Sequence, residues 1–198
     1  MLSSIHPFGE RSRNNSFRLT AAAHVIGSML GGAALGAGAG AIGLALTALG
    51  PSTGVRNALL LCVVVVGLVL EATGRERLLP TRTRQVNENW IQSYRGWVYG
   101  GGFGAELGFG VSTIITTTLV HVLVASLILL GSWTGAIALG TLFGAVRGAT
   151  VLAAHGVDSP ESLRQFHRTL DRLRSASRSG AVVSLLAATA IGVGALIS

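Results

Sequence analysis

Two opposite charges lie inside stretches that are otherwise apolar, Glu106 and Arg147. An ionisable group in such a stretch is costly, so each is a candidate for function. Counted along helices at 1.5 Å per residue, both fall roughly 14 Å from the same end of their segments. Matched depth and opposite sign predict an ion pair. It would either line a cavity as a substrate- or proton-responsive site or fix the register of two helices. On a single helix, Glu106, Gly110, Thr113, Thr117 and His121 share one face, at spacings of 4, 3, 4 and 4. Such a polar stripe suits a path for a small polar solute, or a helix–helix seam of hydroxyls. His24, Glu71 and His155 stand near segment ends, where water reaches them. Trp90, Tyr94, Trp97 and Tyr99 cluster where the third segment begins, as aromatic rings do at headgroup level.

Enzymatic chemistry finds little support. No paired-histidine spacing suggests a metal, and neither Ser112 nor Ser126 sits in a serine-hydrolase motif. The glycine–lysine–Ser/Thr ending of a phosphate loop is absent, and Cys62 is the single cysteine. The chain therefore reads as a non-enzyme with no cofactor.

The elements that must position these groups follow from composition. Of 198 residues, 49% are hydrophobic and 12% charged. A soluble domain carries about 25% charged residues. Mean hydropathy is +0.60, and 28 residues are glycine, which transmembrane helices tolerate well. Five apolar segments appear, near 20–49, 57–74, 97–131, 134–156 and 180–198. The prediction is an all-α polytopic bundle of about five transmembrane helices. The first and third segments are long enough that they must tilt, break or project from the bilayer. Gly100, Gly104 and Gly108 have the small-xxx-small spacing of close helix packing.

The net charge of +7 comes from fifteen arginines without a lysine. They concentrate in 75–96 and 157–179, between apolar runs, which argues against a nucleic-acid face. The bias toward the cytoplasmic side threads the chain with its N-terminus inside and its C-terminus outside the inner membrane. The organisation expected is an N-terminal arm (1–19), a helix pair (20–74), a cytoplasmic basic loop (75–96), a second pair (97–156), a basic amphipathic helix (157–179) and a last span (180–198). The two pairs resemble each other at offsets of 77 and 81, which suggests an internal repeat. In the amphipathic segment Arg164, Arg168 and Arg172 follow a four-residue stride beside Leu163, Phe166, Leu170 and Leu173. That pattern suits anionic lipid of the inner leaflet, or packing as a cytoplasmic connector.

The run Phe103–Gly104–Ala105–Glu106–Leu107–Gly108–Phe109–Gly110–Val111–Ser112–Thr113 resembles the glycine-rich opening of a core helix in CcdA/DsbD-type membrane proteins, within the LysE-like transporters. The resemblance implies a small helical protein of duplicated units that moves reducing equivalents or exports small solutes. The Pro–Cys pair of the thiol-carrying members is replaced here by Ser112–Thr113, so thiol relay does not carry over. Two functions are expected on these grounds. One is a transporter-like protein moving a small polar or anionic solute at Glu106 and Arg147. The alternative is a non-transporting scaffold or accessory subunit, with a second copy or a partner subunit beside it.

Overall fold

The computed structural model describes residues 5–75, 78–79, 89–110 and 117–197. These are helical, with no strand among the described residues. A short α1 (Pro7–Ser12) leads into α2 (Phe17–Ala48) and α3 (Thr53–Thr73). A turn of helix, α4 (Asn89–Ser93), precedes α5 (Gly96–Phe109) and α6 (Leu119–Leu129). Then come α7 (Trp133–Ala149), a 3-10 turn (Thr150–Ala154) and α8 (Pro160–Ile197). Four helices are long and apolar enough to cross a membrane: α2, α3, α7 with its 3-10 extension, and α8.

The two short turns use the same local chemistry. Gly50 and Gly131 take positive φ of 78° and 68°, where a Cβ would be strained. A serine then caps the next helix. Ser52 accepts a hydrogen bond from the Val55 amide at 3.3 Å, and Ser132 from the Gly135 amide at 3.2 Å.

Helix α2 is the axis of the bundle. It is flanked by α5, which runs parallel to its first half, and by α7, which runs antiparallel to it. Both seams are built from glycine at four-residue spacing. Gly104 and Gly108 of α5 lie against the backbone of His24 and Ser28, and Gly140 and Gly144 of α7 against that of Gly32 and Ser28. Lipid tails are as apolar as leucine, so helices in a bilayer associate through close packing rather than through hydrophobic burial. Glycine permits that approach, and the four-residue spacing foreseen for α5 does serve packing.

On the outer side, α3 packs on α6 and on the second half of α8. Gly67 of α3 faces Val122 and Leu185. The rest of α3 and α8 is largely exposed, with Val65, Val66, Val69, Val183, Leu186 and Ile191 facing outward. Exposed apolar faces of this length fit a lipid environment.

Of the three outcomes that its length allowed, the third apolar segment takes a break: α5 ends at Phe109, and α6 begins at Leu119. The basic segment and the last apolar segment are, conversely, a single helix, α8. Gly180 lies at their junction without a proline. One helical glycine costs about 1 kcal/mol against alanine, too little to end a helix that continues on both sides.

Candidate functional site

Two buried carboxylates, rather than the expected charge pair, organise the polar interior. The first is Glu71, 3% exposed, two residues before the end of α3. Its Oε2 accepts from the Thr118 amide at 2.7 Å, from the Thr118 hydroxyl at 2.8 Å and from the Thr117 hydroxyl at 3.2 Å. The first amides of a helix have no partner within it, and they carry a partial positive charge. Glu71 supplies an acceptor to that end of α6 from a different helix. Beside it, Arg178 of α8 donates to the Glu71 carbonyl at 3.1 Å. Side chains and backbone thus tie α3, α6 and α8 together at one point.

The second is Glu10 in α1, fully buried. Arg13 donates to its Oε1 at 3.0 Å and Thr20 of α2 to its Oε2 at 2.9 Å. The Tyr99 hydroxyl of α5 also donates to Oε1. Ile5, Ala21, Tyr99, Phe103 and Val151 close a small core beside it. Glu10 therefore pins the N-terminal arm across the adjacent ends of α2 and α5.

The structure does not bring Glu106 and Arg147 together. Arg147 lies over the Phe143 ring, 5.3 Å from its centroid, and next to Gly110 at the carboxyl end of α5. A cation is favourable at that end of a helix dipole. Its Nη1 is buried and has no hydrogen-bond partner. Glu106 is half-buried on α5. The depth count placed both residues at one level, but depth says nothing about azimuth around the helix. Since the two do not meet, Glu106→Gln and Arg147→Gln should be additive within about 0.5 kcal/mol in a double-mutant cycle of unfolding. A coupling above about 1 kcal/mol would restore the pair.

The polar stripe is divided as well. Glu106 is on α5 and His121 on α6, with Gly110 at φ 72° ending the first helix. Thr117 belongs to the Glu71 cluster, and His121 is half-buried on α6. Thr113 lies outside the described residues. Among the described residues, Glu106 and His121 of the expected stripe therefore lie on separate helices. Arg164, Arg168 and Arg172 lie exposed along the first half of α8.

Several supposed interfacial residues are interior. His24 is buried on α2, with Nδ1 3.2 Å from the Gly100 carbonyl, while His155 is exposed. Tyr99 is fully buried, whereas Tyr94 and Trp97 are about half exposed. One signal for the first of these lay in the sequence. Thr20, His24 and Ser28 repeat at four residues and so face one seam, as do Gly100, Gly104 and Gly108. For Glu10 the i,i+3 spacing to Arg13 is local, but Tyr99, 89 residues away, had no comparable signal.

Around Arg95, two adjoining depressions of about 410 and 510 Å³ open between the N-terminal arm and the start of α5. They share Asn15 and Arg95 in their walls.

No protein-family model matches the chain, and no solved structure does. It is similar to the methylamine utilization protein MauF of Paracoccus denitrificans, 30% identical over 172 residues, which cover 85% of this chain and 60% of that protein. It is also similar to MauF of Paracoccus versutus, 34% identical over 127 residues, which cover 63% of this chain and 45% of that protein. The chain thus spans 60% or less of the length of these curated relatives. This likeness extends over most of the chain and replaces the CcdA/DsbD resemblance, which rested on one glycine-rich helix opening. Glycines at that spacing are a packing device open to unrelated membrane helices.

Proposed function

We propose that this chain is a non-transporting integral membrane accessory subunit that serves methylamine utilization as part of a larger assembly. The observation that carries the proposal is the use made of the buried acids. Glu10 and Glu71 are each held by three side-chain or backbone donors that join separate helices. Such groups stabilise an architecture, whereas a transport site keeps ionisable groups beside a cavity. The similarity to MauF supplies the process, and the exposed apolar faces of α3 and α8 supply room for lipid or a partner subunit.

In this proposal the chain is a multi-pass inner-membrane protein, with α5 and α6 together forming one interrupted crossing. The arginine bias supports an N-terminus inside and a C-terminus outside. The matching glycine–serine turns support a duplication of the two helix pairs. Reporter fusions after residues 53 and 168 should then report opposite sides of the membrane.

The functional test is a deletion in the native host. Growth on methylamine should fail while uptake of labelled methylamine continues at the wild-type rate. If uptake falls with growth, and the purified chain restores it in proteoliposomes, the accessory role is wrong.

A further inference from the structure

The cleft around Arg95 is a polar depression that shares Thr20 and Arg13 with the Glu10 cluster and nothing with the Glu71 cluster. One wall carries Asn14, Asn15 and Ser16 from the connection between α1 and α2; the other carries Arg95 and Trp97, where α5 begins. Arg13 and Tyr94 extend it on one side. Asn15 already accepts from the Gly96 amide at 3.3 Å, which fixes its carboxamide at the edge of the cleft. Arg13 is engaged with Glu10, but Arg95 is exposed and has no acidic partner among the described residues. The parallel α2 and α5 both start here, so their positive ends add to the field of Arg95. The local chemistry favours an anion with several acceptor oxygens.

The rim indicates what kind of anion. Leu19 and Trp97 line the cleft and are 56% and 52% exposed. From Leu19 an outward apolar track continues along α2 through Ala22, Ile26 and Leu30, at spacings of 3, 4 and 4. The cleft thus stands where the polar arm meets the apolar part of the bundle, the depth at which headgroups and tryptophans sit. We propose that it binds the phosphate of an anionic phospholipid, with Arg95 and the asparagine amides on the headgroup and the acyl chains along the Leu19–Leu30 track. This site is separate from Arg164, Arg168 and Arg172 on α8, and it does not depend on the accessory role.

The test uses the full chain in mixed micelles, with Trp90→Phe and Trp133→Phe leaving Trp97 as the single emitter. Phosphatidylglycerol and phosphatidylcholine, each nitroxide-labelled high on the acyl chain, are compared at equal mole fraction. Phosphatidylglycerol should quench Trp97 several-fold more effectively. Arg95→Gln should remove that preference and Arg95→Lys should retain most of it, while changing Arg164, Arg168 and Arg172 together to Gln should leave it intact. Equal quenching by the two lipids in the chain that keeps Arg95 overturns the proposal, whether or not Arg95→Gln folds. So does abolition of the preference by millimolar inorganic phosphate at ionic strength matched with chloride, since the ligand would then be free phosphate.

Discussion

Replacing Gly108 by alanine is expected to force α2 and α5 apart and to destabilise the protein by at least about 1–3 kcal/mol, the usual range for overpacking a tight site. The added methyl group would overlap the carbonyl of Ser28, which is backbone in the middle of a helix and cannot rotate away. Ser28 is also the residue against which Gly144 of α7 is packed, so a shift of α2 there disturbs both seams. Gly38, on the same central helix, supplies the control. A Cβ there meets nothing within 4 Å. Gly38→Ala should therefore be neutral or stabilising by up to about 1 kcal/mol, through higher helix propensity. Thermal unfolding of both variants in one detergent compares them directly. Equal midpoints for the two would mean that the glycine seam does not hold the bundle together.

Glu71→Gln is expected to cost about 1.5–3 kcal/mol, the range for hydrogen bonds to a charged group. The amide retains one acceptor oxygen but loses the charge facing the amino end of α6. Glu71→Ala should cost more, because it leaves the Thr118 amide and hydroxyl without that acceptor in a buried position. Thr118→Val removes only the hydroxyl, and combined with Glu71→Ala it should cost less than the sum of the two. A coupling of about 0.5–3 kcal/mol is the sign of direct contact. The same cycle at Glu106 and Arg147 should show almost none. If Glu71 and Thr118 proved additive and Glu106 and Arg147 coupled, the polar interior would be organised as the depth count suggested.

The two long glycine-rich segments show how far local sequence reaches. Both segments, 20–49 and 97–131, are apolar, rich in glycine and about 30 residues long, so both had to tilt, break or project. The first remains one helix, and all of its interior glycines but Gly38 face neighbouring helices that fill the space. The second has a helix end at Gly110, which takes φ 72°. A second helix, α6, begins at Leu119, and the Glu71 carboxylate on α3 meets its amino end. Nothing within 97–131 encodes the position of Glu71.

What the sequence by itself determined is what depends on near neighbours. Apolar length marked α2, α3 and α7, the four-residue glycine spacing marked the α5 seam, and Ser159–Pro160–Glu161 marked the start of α8. These are properties of one helix in a known solvent, and chain periodicity expresses them directly. Azimuth and partnership are different, because they depend on how separate helices are rotated against one another. Only the tertiary structure decided that Arg147 turns toward Phe143 and Gly110 rather than Glu106. It alone placed Glu71 at the amino end of α6 and Glu10 against Tyr99 and Thr20. The partners of Glu71 lie 46 and 47 residues away, and those of Glu10 lie 3, 10 and 89 residues away. A carboxylate that must be buried takes whichever donors the packed helices bring to it.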